Sequence, residues 1–247
     1  MSGHSKWSTI KRKKGAEDAK RSKIFSRIVK EIHVAVKEGG PDPDPNPRLR
    51  LAMQNAKGAN MPKDNIQRAI NKAGSDAENY EEVTFEGYAP YGIAVYVECL
   101  TDNNNRTVGS IRSIFTRSGG SLGTNGSLSF LFERKGVFII QQKDMDPEEF
   151  ELEIIDAGAE EIEINDGIFI ITTQLDDFGA VQEKLEEMNI EAENAELQRI
   201  PNSTKRLDTE LAIKVVKVIE EFEDNEDVQN VYHNLEITDE VIAAVNE

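Results

Sequence analysis

Apolar positions in the first third of the chain recur at helical spacing. Ile24, Ile28, Ile32 and Val36 fall every four residues, with Phe25, Val29 and Ala35 beside them. This predicts a helix from Arg21 to a stop at Gly39-Gly40. Pro41, Pro43, Pro45 and Pro47 alternate with Asp42, Asp44 and Asn46 as a stiff connector. Asn46-Pro47 reads as an N-cap followed by proline at the first helical position, opening a second helix that ends near Gly58. Pro62 precedes Ile66, Ala69 and Ile70, a third helix ending at Gly74.

Beyond the polar stretch at 75–82 the period changes to two. Strands are predicted at 83–88 and 92–100, a helix at 105–117, a glycine-rich turn at 118–127 and a strand at 128–132. Six elements then follow in a readable order: strand 137–141, helix 147–157, strands 160–164 and 168–173, helix 177–188 and strand 195–199. That is β-α-β-β-α-β, the ferredoxin-like sequence of elements. The tail predicts a helix over 209–222, a strand around 228–235 and a short last helix. The tail is expected to return to the 83–132 sheet. The chain therefore reads as a multi-domain α and α+β protein: a basic arm at 1–20, a three-helix basic domain at 21–78, a discontinuous α+β domain at 79–135 plus 201–247, and an inserted ferredoxin-like acidic domain at 136–200.

Charge divides the chain as sharply as periodicity does. Residues 1–75 carry a net of +10 and the remaining 172 a net of −27, within an overall −17. An acidic protein has no general attraction for polyanions, whereas a clustered basic segment creates a local attractive field. Lys6-Trp7-Ser8-Thr9-Ile10-Lys11-Arg12-Lys13-Lys14 puts five cations and the only tryptophan into nine positions. On the first helix Lys20, Lys23, Arg27, Lys30 and Lys37 recur as a cationic stripe. Cations spaced to meet phosphates bind by releasing counterions. The candidate nucleic-acid contacts are thus Lys6, Lys11, Arg12, Lys13, Lys14, Lys20, Lys23, Arg27 and Lys30, with Lys57 and Lys63 as lesser ones. His4 and Trp7 are placed to stack on a base or enter a groove.

Other chemistries find little support. A lone cysteine, Cys99, in an apolar run excludes an internal disulfide and a cysteine-cluster zinc site, and reads as a buried thiol. His4, His33 and His233 are scattered, and no carboxylate is singled out by an apolar setting, so no catalytic residue, metal site or cofactor is expected. The loop Ser118–Ser127 lacks Gly-Lys-Ser/Thr and follows a helix, the wrong order for a dinucleotide fingerprint. Asp42–Asn46 begins like a calcium loop, but Pro47 and Met53 occupy positions six and twelve. The 136–200 block carries 3 cations against 19 acids, and Asp166-Gly167-Ile168-Phe169 lacks the basic and paired aromatic residues of an RNA-recognition strand. An acidic domain of this kind suits a basic protein partner. No apolar run approaches the roughly 20 residues of a membrane span, and the basic start leads into no secretory h-region, so a cytoplasmic protein is expected.

Several long motifs resemble one family. Gly3-His4-Ser5-Lys6-Trp7 with its lysine-rich arm, Ala59–Ile66, Tyr88-Ala89-Pro90-Tyr91-Gly92, Thr101–Val108, and Gly119–Gly123 leading to Phe132–Gly136 are similar to the YebC/PmpR family over essentially the whole chain. The resemblance implies a three-helix bundle, an α+β domain and a ferredoxin-like domain inserted within it. It also implies a non-enzymatic, DNA-binding transcriptional regulator. Relatives including mitochondrial translational activators imply a second reading, a translation factor contacting ribosomal RNA or the ribosome. A third is an adaptor that uses its acidic domains. Oligomeric state is not readable from the sequence. With no base-reading set of Asn, Gln or Arg on a helix, affinity is expected to come from the phosphate backbone, with modest sequence specificity.

Overall fold

A computed structural model describes residues 18–75, 79–143, 145–165 and 167–246. Among these residues it contains eight α-helices and two four-stranded sheets. The described residues group into two compact units, one including residues 79–133 and 199–246, the other including those of 21–75 and 134–198.

In the second unit α1 (Asp18–Gly39), α2 (Pro47–Gly58) and α3 (Lys63–Ser75) share one apolar cluster of Ile32, Val36, Leu49, Met61, Ile66 and Ile70, filled in by alanines. Ile24, expected on the same stripe as Ile32 and Val36, is 42 % exposed. A four-residue step overshoots the 3.6-residue turn by about 40°, so Ile24 stands about 120° around the helix from Val36. Asn46 does more than cap α2. Its Oδ1 accepts from Leu49 N at 3.0 Å, while Nδ2 donates to Ala35 O at 2.7 Å and Gly40 O at 2.9 Å. One buried amide thus satisfies the end of α1 and the start of α2 together.

The same unit holds β4 (Phe132–Gln141), α5 (Pro147–Asp156), β5 (Ala159–Asn165), β6 (Ile168–Gln174), α6 (Phe178–Glu187) and β7 (Asn194–Pro201). Its strands lie in the order β5-β6-β4-β7, with β4–β6 and β5–β6 antiparallel. Phe138, Ile140, Phe169 and Ile171 pack against Phe150 and Ile154 of α5 and Val181 and Leu185 of α6. The alternate residues Val137, Ile139 and Ile170 are also buried. With apolar side chains buried on both faces, this sheet offers no open platform for bases, which agrees with the weak strand signature.

The first unit is built on β1 (Glu81–Ala89), β2 (Ile93–Thr101), β3 (Ser121–Leu122) and β8 (Val228–His233), ordered β3-β1-β2-β8. The tail strand β8 pairs antiparallel with β2, from Val95↔His233 to Cys99↔Val228. One face carries the larger core. There Val95, Val97 and Cys99 meet Ile111 and Phe115 of α4 (Asn104–Arg117), Val215, Ile219 and Phe222 of α7 (Thr209–Glu223), and Val241 of α8 (Asp239–Asn246). Cys99 is buried here.

Two sequence expectations need correction. No strand forms at 128–132: residues Ser129–Leu131 make a 3-10 turn, and β4 starts at Phe132. Leu128 and Phe132 instead anchor this turn on the second face of the sheet, against Ala94, Tyr96 and Tyr232. The apolar residues thus serve as plugs, and Phe130 between them is 69 % exposed. The glycine-rich segment 118–127 is also more than a turn. Ser121–Leu122 pairs with β1 at Gly87–Tyr88. The buried Glu86 carboxylate accepts from Gly126 N and Leu128 N, both at 2.6 Å.

Candidate nucleic-acid interface

The interface expected from the sequence combines an arm with helices α1–α3. His4, Lys6, Trp7, Lys11, Arg12, Lys13 and Lys14 lie outside the described residues. Lys20 falls in the first turn of α1, and its side chain is outside them as well. Lys23, Arg27 and Lys30 are half-buried along α1, and each already has a partner. Lys57 at the end of α2 and Lys63 at the start of α3 are exposed.

The turn joining α2 to α3 is what relates these positions. Met61 N donates to Ala56 O at 2.9 Å and Asn60 N to Lys57 O at 2.8 Å, closing α2 in a Schellman-type turn. Asn60 holds the left-handed φ of 57° that the turn requires, a conformation asparagine tolerates. Its carbonyl accepts from Arg21 Nη2 at 3.3 Å, while the Arg21 guanidinium stands 5.3 Å above the Phe25 ring. The first turns of α1 therefore lie against the α2–α3 turn, with Lys57 just before it and Lys63 just after it. Arg68 adds an exposed cation further along α3. Sequence reasoning missed Arg21 and Arg68, although Arg68 follows Lys63 on a helix whose other face carries Ile66 and Ile70.

Not every cation in this region is available. Arg48 bridges Glu31 at 2.7 Å and Glu38 at 2.8 Å, tying α2 to α1. Arg50 donates to the carbonyls of Pro43 and Asp44 in the proline connector. These two arginines are engaged in bonds within the fold, Arg48 half-buried and Arg50 on the surface.

Nearby, α2 is locked to the start of β7. The Asn55 side chain donates to Ala195 O at 2.8 Å and accepts from Ala195 N at 2.9 Å. Next to it, a Cβ on Gly58 would lie 1.9 Å from Glu193 O, so only glycine fits. The glycine read from sequence as a helix stop is equally a close-approach residue.

In the first unit the Thr101–Val108 motif builds a different arrangement. Asn103 caps α4 by accepting from Arg106 N at 3.1 Å. Buried Asp227 accepts from Arg106 Nη2 at 2.8 Å and from Thr107 Oγ1 at 2.8 Å, and Thr107 Oγ1 meets Thr101 Oγ1 at 2.7 Å. Hydrogen bonds to Asp227, then to Asp102, raise the Arg106 guanidinium above its ordinary pKa. Its cation is fixed, and its hydrogen-bonding fork is committed to the fold. On the second face, Glu98 accepts from Arg199 Nε at 2.9 Å, and the Arg199 guanidinium lies 4.0 Å over the Tyr96 ring. Among the described residues no group of His, Cys, Asp and Glu is arranged to hold a metal ion, and no helix is long and apolar enough to cross a membrane.

Basic helices, two antiparallel sheets and a chain that threads twice through each unit define a multi-domain mixed α/β protein. The family model described as TACO1/YebC protein N-terminal domain matches residues 5–76, and that described as TACO1/YebC second and third domain matches residues 80–235. The chain belongs to the TACO1/YebC family. It is 53 % identical over 239 residues to a probable transcriptional regulatory protein of Amoebophilus asiaticus, covering 95 % of this chain and 98 % of that one. A protein of the same description from Rubrobacter xylanophilus is 51 % identical over 248 residues, covering 99 % of each chain. Among solved structures, a conserved hypothetical protein from Aquifex aeolicus superposes with a TM-score of 0.81 at 44 % identity, covering 90 % of this chain and 93 % of that one.

Proposed function

We propose that this protein is a DNA-binding transcriptional regulator that grips the phosphate backbone with its basic arm and helices α1–α3. The Arg21–Asn60 bond carries the reading, because it sets the root of the arm beside exposed Lys57 and Lys63. Cations from three chain segments then converge at one end of the helical cluster, and each phosphate they neutralise releases counterions. His4 and Trp7 extend the contact by stacking or groove insertion. The names of the relatives favour regulation of transcription.

In this reading residues 21–78 are a three-helix basic domain, 79–135 with 201–247 a discontinuous α+β domain, and 136–200 a ferredoxin-like insertion; the strand order β5-β6-β4-β7 supports the last assignment. The protein acts in the cytoplasm without catalysis or a cofactor. Specificity among sequences is modest, since phosphates carry no base information.

Fluorescence anisotropy with labelled duplex DNA across a salt series tests the proposal. Lys57→Glu with Lys63→Glu is expected to reduce the slope of log K against log salt by about 1.8, from about 0.9 per phosphate contact. Removal of residues 1–20 is expected to flatten it further. An unchanged slope in both variants overturns the assignment, and cross-linking in cells separates DNA from ribosomal RNA as the ligand.

A further inference from the structure

The outer face of α5 carries an apolar pair that the fold leaves uncovered. Leu152 and Ile155 are 67 % and 54 % exposed, while Phe150 and Ile154 on the same helix are buried in the core. The pair is spaced three residues apart, so the two side chains are neighbours on one helix surface. Carboxylates surround them: exposed Glu148, Glu149 and Asp156 lie three or four positions from Leu152, and Glu151 lies four from Ile155. Opposing charge is scarce. Of the 3 cations in residues 136–200, Lys184 is bound to Glu153 and Arg199 to Glu98. The hydrogen bond to Glu153 holds the Lys184 ammonium above its ordinary pKa, so that pair is closed rather than available.

We propose that this face of α5 docks a cationic segment of a partner protein, one that presents two or more apolar side chains among lysines and arginines. The apolar pair and the carboxylates select different features of the same ligand. The field brings in basic chains and rejects acidic ones, and it acts mainly on association rate. Leu152 and Ile155 then discriminate among basic chains, because only a partner with apolar anchors removes their surface from water. A nucleic acid is excluded by charge. The site uses residues of α5 and none of those proposed to bind DNA, so it gives a regulator a protein contact that does not draw on its cations.

The test titrates the full-length protein with two labelled peptides of equal charge. Both are rich in Lys and Arg; one carries leucines at three- and four-residue spacing and the other carries serines there. The leucine peptide is expected to bind about tenfold tighter than the serine peptide, a difference of about 1.4 kcal/mol. Leu152→Ser with Ile155→Ser is expected to abolish that preference while leaving the weak binding of the serine peptide. Asp156→Lys, at a helix end where a cation is favourable, is expected to weaken both peptides. Equal binding of the two peptides, or a preference that survives the serine substitutions, overturns the proposal. Trp7, the only tryptophan, reports one rival occupant. If Leu152→Ser shifts its emission in the unliganded protein, the chain's own arm occupies the face and a separate partner is ruled out.

Discussion

The two four-stranded sheets are finished by different chemistry. In β3-β1-β2-β8 the fixed points are carboxylates: Glu86 under the glycine segment, Glu98 under Arg199, and Asp227 under Arg106 and Thr107. In β5-β6-β4-β7 both faces are aliphatic or aromatic, and the tie to α2 is an amide and a missing methyl group, Asn55 and Gly58. A carboxylate that accepts several donors tolerates small shifts but not the loss of its charge. A backbone approach at Gly58 is indifferent to charge and fails on a single added carbon. The sheet of the first unit is thus anchored through buried carboxylates, and the tie of α2 to β7 through a neutral amide and a close backbone approach.

The largest expected effect probes shape. Gly58→Ala must move Glu193 or α2, with a cost of about 3 kcal/mol in urea unfolding; a loss under 1 kcal/mol would show that the approach is not tight. Asp227→Ala removes the acceptor shared by Arg106 and Thr107 and is expected to cost about 2–3 kcal/mol. Arg106 is half exposed and rehydrates, which keeps the loss below that of a fully buried pair. Glu86→Gln turns one accepting oxygen into a donor facing a backbone N–H. About 1–2 kcal/mol should be lost, with faster amide exchange confined to residues 118–128. Gly74→Ala is the control for Gly58, since nothing lies within 4 Å of its added Cβ. There a gain of about 0.5–1 kcal/mol is expected from helix propensity, opposite in sign to the Gly58 result.

The smallest effect is one of pH. A hydrogen bond from Thr238, then backbone hydrogen bonding, lowers the Glu240 carboxyl below its ordinary value. Its folded pKa is depressed, so its contribution is present above the ordinary carboxylate range and disappears as pH falls through the folded value. Thr238→Val should lower stability near neutrality, where that contribution is present together with the bond Thr238 accepts from Val241 N, and should remove that part of the acid dependence of unfolding.

What the sequence made legible follows from the range of each interaction. Helices α2 and α3 and the six elements from β4 to β7 lie within a few residues of the periodicity reading, because caps, prolines and alternation act over neighbouring positions. The run at 128–132 misled because plugging a sheet face and lining a strand require the same apolar residues. Asn55 and Ala195 are 140 positions apart, as are Ala94 and Asn234, and no local pattern announces such a partner. The candidate interface was legible as charge and not as geometry. Arg48 and Arg50 look identical to Lys57 and Lys63 in composition, and only folding assigns the first two to internal bonds.

The bond between Asn55 and Ala195 has a consequence beyond stability. β7 is the terminal strand of its sheet, and an outermost strand presents unpaired amide and carbonyl groups that another extended chain can join. Asn55 engages both groups of Ala195 with one planar amide, as a neighbouring strand would. Without it the border of the sheet becomes a template for growth. An Asn55→Ala protein is therefore expected to reveal its defect as concentration-dependent aggregation before it reveals it as a lower melting temperature.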